Sequence, residues 1–247
     1  MIQRQANNRE GFTIIELLLA MTFVSILLLG IAMTVIQIGS IYNKGLTMKS
    51  VDQAGRALSD DIRRTLSQSQ PFIVNTSSFY AGRLPATDRS ALPDGGRLCT
   101  GLYTYVWNSG EALAKQKPLN EYVSASKATA QNDASAEIRF IRVQDGGGQY
   151  CADPSKQIDK TKSTELLATK GGDLAVQDFS ITQLSPVDNP LGQALYRIKL
   201  VIGTNNQDAL DTMDMTCRPP ADDKSLQDFC AINRFDFTAQ AGNKGGQ

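Results

Sequence analysis

The sequence predicts an α+β fold, with one long N-terminal helix packed on a predominantly antiparallel β head. Three observations predict it. From Phe12 to Ile38 the only charged residue is Glu16, and no proline occurs before Pro71. Beyond Tyr42 the apolar residues recur at helical spacing. After Pro71 the chain changes to short apolar segments separated by glycine, serine, aspartate and asparagine.

The first element is a membrane-length helix. The 27 residues from Phe12 to Ile38 give roughly 40 Å of helix at ~1.5 Å rise, enough to cross a hydrocarbon core of ~30 Å. The leader before it carries Arg4, Arg9 and the chain amine against Glu10. That balance predicts a cytoplasmic leader and an extracytoplasmic remainder. A secretory signal peptide has an apolar core of ~7–15 residues followed by a small-residue cleavage site. Here the core is about twice as long and the small residue, Gly11, precedes it. A plain signal anchor explains the length and the leader but leaves Glu16 unexplained, since a carboxylate costs on the order of 2.5 kcal/mol or more at a bilayer centre.

Residues 11–20, Gly-Phe-Thr-Ile-Ile-Glu-Leu-Leu-Leu-Ala, resemble the type IV prepilin (class III) signal. The resemblance implies a type IV pilin-like fold and cleavage between Gly11 and Phe12 by a prepilin peptidase. It further implies N-methylation of Phe12 and an assembly role for Glu16, which becomes the fifth mature residue. Cleavage would place a cationic amine on Phe12, four residues and one helical turn from Glu16. In a bundle of such helices, the amine of one subunit can pair with Glu16 of a neighbour. Many major pilins carry a proline midway along this segment. Its absence here implies a minor pilin or pseudopilin. Gly30 and Gly39 are the only weak points, each costing ~1 kcal/mol relative to alanine.

The helix continues as an amphipathic segment in which Leu46, Val51, Ala54, Leu58, Ile62 and Leu66 mark one stripe. Asp60 and Asp61 stand within reach of Arg64. Gln70-Pro71 ends it, because the residue before proline is pushed out of helical geometry. The whole helix is expected from Phe12 to about Ser69, near 85 Å by rise alone, and Gly45 is a candidate bend. The stretch Val51–Arg64 also resembles, loosely, minor pilins of the PilW kind and the J pseudopilin of type II secretion.

The head has candidate strands at 72–75, 98–107, 136–144, 175–184, 193–203 and 229–238. Turns are expected at Gly146-Gly147-Gly148, Ser185-Pro186 and Asn189-Pro190. Residues 109–135 read as a surface insertion or short helix, and the tail from Ala239 as disordered. About 175 residues suffice for one core. The expected organisation is a leader at 1–11, a transmembrane or filament-core helix at 12–39, its amphipathic continuation at 40–70, a head at 71–238 and a tail at 239–247.

All four cysteines, Cys99, Cys151, Cys217 and Cys230, lie in the head, where an exported domain keeps disulfides. Four cysteines allow three pairings. The local pair Cys217–Cys230, leaving Cys99–Cys151, is favoured; reduced buried thiols are the alternative. A disulfide around a C-terminal loop also resembles the loop of many pilins.

The chain has no histidine, which removes the commonest general base and the usual zinc ligands. It has no phosphate-binding or dinucleotide motif and no nucleophile elbow. The expectation is a non-enzyme without a cofactor. Asp208, Asp211 and Asp214 would line one face of a helix, and with Asp222-Asp223 they form an acidic stretch that is either a calcium site or a solvated loop. Asn75-Thr76-Ser77 matches a glycosylation sequon. The head carries 18 basic against 20 acidic residues, which is no footprint for nucleic acid. Arg56, Arg63 and Arg64 are expected as helix ion-pair partners. The expected partners are other pilins through the N-terminal helix, the prepilin peptidase, the inner-membrane assembly platform and the membrane itself. The expected place is the inner membrane and then the pilus or cell surface. The alternative is a membrane-anchored adhesin or binding module outside any filament.

Overall fold

The structure is a computed structural model, described for residues 13–82, 93–123, 137–167, 174–186, 192–206, 208–211, 214–219 and 227–242. The chain divides into two compact units, Met1–Asn43 and Lys44–Gln247. Helix α1, Ile14–Gln68, is the element common to both.

In the first unit α1 exposes its apolar residues on every side, from Ile14 to Tyr42. It is long and apolar enough to cross a membrane, and its most apolar window is unburied. Exposing this many large side chains to water is unfavourable by roughly 1.5–3 kcal/mol each, so the segment calls for lipid or other apolar helices. The hydroxyls in it are satisfied internally: Thr22 donates to Leu19 O, Ser25 to Met21 O and Thr34 to Ile31 O. Hydroxyls bonded this way can lie in hydrocarbon without an orphaned donor.

The second unit begins with the remainder of α1 and adds, among the described residues, three antiparallel sheets. Strands β1 (Phe79–Gly82), β2 (Gly95–Cys99), β3 (Tyr103–Asn108), β4 (Phe140–Gln144) and β5 (Ser163–Glu165) pair in sequence order. Strands β6 (Leu174–Gln183), β7 (Ala194–Thr204) and β10 (Ile232–Ala241) form a second sheet in the order β10-β7-β6. Strands β8 (Leu210–Asp211) and β9 (Thr216–Cys217) form a small hairpin. Among the described residues it also has two short helices, α2 (Gly110–Ala114) and α3 (Gln149–Ala152).

One core joins helix and sheets. Val51, Ala54, Leu58, Ile62 and Leu66 of α1 meet Tyr105, Trp107 and Phe140 from one sheet and Tyr196, Ile198, Leu200, Ile202 and Phe237 from the other. The alternation in β7 is strict from Ala194 to Leu200, as expected for a strand with one face on a core. Contacts between α1 and β10 ascend together: Asn233 bonds Asp52, the Arg63 guanidinium lies over the Phe237 ring, and Gly242 N donates to Ser69 O. The helix therefore runs parallel to β10.

Several expectations are corrected. Leu46 is exposed, so the buried stripe starts at Val51. Residues 72–75 are not a strand. Tyr196 Oη bonds both the N–H and the C=O of Phe72, and an Asx turn at Asn75 follows. The expected strand 98–107 is a hairpin, β2–β3, reversed at Gly101 with φ of 101°. Strand 136–144 is shortened to Phe140–Gln144. Strand 229–238 moves to Ile232–Ala241, and Phe229 belongs to a 3-10 turn, Gln227–Phe229. The tail is ordered through Gly242, with Ala239 and Ala241 buried in β10, because its small residues fit under the helix; residues 243–247 lie outside the described residues. The 109–135 insertion supplies α2 and the buried Asn120, and 124–136 lie outside the described residues. Asp208, Asp211 and Asp214 sit on and around the β8–β9 hairpin rather than on a helix.

Candidate functional site

Gly11 and Phe12 lie outside the described residues. The site begins at Thr13, which precedes the first turn of α1. Thr13 N and Oγ1 both donate to Glu16 Oε2, at 3.0 and 2.8 Å, and Glu16 N donates to Thr13 Oγ1 at 3.4 Å. This reciprocal arrangement is a capping box, which satisfies two of the donors a helix start leaves open. The Thr-x-x-Glu spacing was present in the sequence as its signal. All of these bonds use Oε2, and Oε1 carries no partner among the described residues. Glu16 opens a shallow groove lined by Leu17, Ala20, Met21, Val24 and Ser25. One carboxylate edge is thus free at the start of an otherwise apolar surface.

In the head, a clamp holds the second half of α1. Tyr105 Oη donates to Asp61 Oδ2 at 2.8 Å and lies 2.7 Å from Thr65 Oγ1. Arg142 from β4 donates to Asp61 Oδ1 at 2.6 Å and stacks over the Tyr103 ring. Burial pushes the Tyr105 phenol well above its usual range, so it stays a neutral donor. Asp61 pairs with Arg142 instead of Arg64, and Asp60 pairs with Arg63 at 3.6 Å. Tertiary contact overrides the expected helical pairs here, because a partly buried pair with bonds to a tyrosine is less screened than an exposed one.

A second polar knot organises the loops. The Arg97 guanidinium, 1% exposed, donates to Asn120 Oδ1 and to the carbonyls of Tyr150, Asp153 and Lys156. Burial holds its pKa below the ordinary guanidinium value, although the group remains charged. Asn108 and Asn120 exchange bonds: Asn120 N donates to Asn108 Oδ1, and Asn108 Nδ2 donates to Asn120 O. Composition gave no signal for either role, since the contacts join positions 12 to 59 residues apart.

Cys99 is paired with Cys151 (Cα–Cα 6.2 Å), fastening the end of β2 to α3. Cys217 is paired with Cys230 (Cα–Cα 5.9 Å), closing the β9 segment against the approach to β10. Among the described residues, no three histidine, cysteine, aspartate or glutamate side chains are grouped to hold a metal ion. Their buried side-chain polar atoms are all hydrogen-bonded except Asn205 Oδ1.

Comparison with protein-family models, curated proteins and solved structures finds no match.

Proposed function

We propose that this chain is a structural subunit of a type IV pilus-type filament, a minor pilin or pseudopilin. On this reading it is cut after Gly11 and methylated on Phe12. It waits in the inner membrane with its head outside and then enters or primes the filament through α1. The observation that carries the reading is Glu16, an acid with one oxygen unpartnered among the described residues and the sole charge between Phe12 and Ile38. A new amine on Phe12 lies at the positive end of that helix, where a carboxylate offsets both charges. A neighbour's amine can reach Oε1 while Thr13 keeps Oε2. Supporting this, the apolar half of α1 has nothing covering it within its own unit, and the other half is the spine of a disulfide-linked head. The missing proline and the size of the head favour a subunit present in few copies over the bulk one.

The decisive experiment is substitution of Gly11 with a bulky residue, followed by immunoblotting of membranes. The expected band keeps the leader and runs above the wild-type protein. Normal processing of that variant would sink the assignment and leave a membrane-anchored binding module as the reading to pursue.

A further inference from the structure

The outer face of α1 in the head carries four cations, Lys49, Arg56, Arg63 and Arg64, against two carboxylates, Asp52 and Asp60. Asp52 takes Arg56 and Asp60 takes Arg63. Asp61, which the sequence places within reach of Arg64, is committed to Arg142 and Tyr105. Arg64 and Lys49 are exposed and have no acidic partner among the described residues. The displacement of Asp61 into the clamp thus leaves a net positive stripe on the face turned away from the core.

The same chain carries the complementary surface. Residues 205–217 contain Asp208, Asp211 and Asp214, and Arg218, which follows them, donates its guanidinium to Leu210 O. The β8–β9 hairpin packs through Ala209, Leu210 and Cys217 against Cys230 and Ile232, the first residue of β10. Because Asn233, the next residue, bonds Asp52, the hairpin sits at the level of Asp52 along α1. Arg64 lies twelve residues further along the helix, about 18 Å by rise. Within one chain, the acidic hairpin is level with the Lys49 and Arg56 end of the stripe and about 18 Å along the helix from Arg64.

We propose that the Lys49–Arg64 face of α1 receives the β8–β9 hairpin of a second copy of this chain. The inference rests on the filament reading, in which every copy enters the membrane with its leader on the same side and so carries α1 in the same direction. Two parallel copies offset by about 18 Å along the helix axis bring the hairpin of one level with Arg64 of the other. An antiparallel pair would send the two membrane segments in opposite directions. Charge complementarity of this kind sets register and partner choice more than raw affinity. Two adjacent copies suffice, so the contact does not require the bulk subunit.

The test uses the full-length chain in its membrane and a water-soluble carbodiimide, which joins an amine to a carboxylate without a spacer. Arg64→Lys supplies the amine. The expected result is a covalent dimer whose linked peptides join position 64 to Asp208 or Asp214, lost when Asp208→Asn and Asp214→Asn are combined with it. Both aspartates are exposed, so the head still folds in that variant. No dimer, a link from position 64 to another protein, or a dimer undiminished by the aspartate changes would overturn the proposal. Leader cleavage read on the same samples separates the two ideas: a cleaved chain without the link overturns the docking alone, and an uncleaved chain overturns the filament reading.

Discussion

Gly55 of α1 faces the Phe235 ring of β10 so closely that a Cβ at position 55 would overlap it. The helix lies this close to β10 there because position 55 has no side chain. Gly55→Ala gains up to about 1 kcal/mol of helix propensity but overpacks the contact, which typically costs about 1–3 kcal/mol. The expected net effect is a lower midpoint in thermal unfolding, recovered in part by pairing it with Phe235→Leu. An unchanged or raised midpoint in Gly55→Ala would mean that the ring moves aside freely.

The clamp at Asp61 makes a different prediction. Tyr105→Phe removes a hydroxyl bonded to Asp61 and Thr65 but leaves Arg142 in place, so a loss of about 1–2 kcal/mol is expected. Asp61→Ala strands the Arg142 guanidinium, only 28% exposed, and should cost more than Tyr105→Phe. Denaturant unfolding of the two variants compares them directly, and the reverse order would refute the clamp.

Glu165 supplies a pH signature. Its carboxylate accepts from the backbone N–H groups of Arg139, Phe140 and Leu167, yet burial outweighs those bonds and raises its pKa above 4.5. A raised carboxyl pKa means that the folded head binds the proton more tightly than the unfolded chain does. Its contribution to stability therefore grows as pH falls from above the folded value toward 4.5, and declines as pH rises through that window. Unfolding of the wild type and Glu165→Gln, compared between about pH 7 and pH 4.5, should show the wild type gaining on the variant at the acidic end. A gain at the alkaline end instead would show that the three N–H donors dominate.

The two disulfides should differ in worth. The chain-entropy account gives roughly 4 kcal/mol for Cys99–Cys151, with 52 residues of separation, and roughly 3 kcal/mol for Cys217–Cys230, with 13. Paired Cys→Ala substitutions followed by limited proteolysis should open the first variant faster. Equal protection in both would point to strain or residual structure as the larger effect.

Glu16→Ala should be processed normally and recovered poorly in sheared filaments, whereas Thr13→Ala, which keeps the carboxylate, should retain more incorporation. Wild-type recovery of Glu16→Ala would remove the pairing argument. Equal loss in both variants would reduce Glu16 to a helix cap.

The amino-acid pattern alone determined the long helix, the class of the fold and the two long strands β6 and β7. These are readable because periodicity and uninterrupted apolar runs are local properties of the chain. Thr13-x-x-Glu16 was equally local. The tertiary structure decided the partners. It drew Asp61 from Arg64 to Arg142, buried Arg97 among three carbonyls, placed the C-terminal Ala239 and Ala241 in β10 and turned 98–107 into a hairpin. Each of these is a contact between distant segments, where desolvation changes which charge pair is strongest and which small residue is needed. No spacing within a single segment encodes that competition.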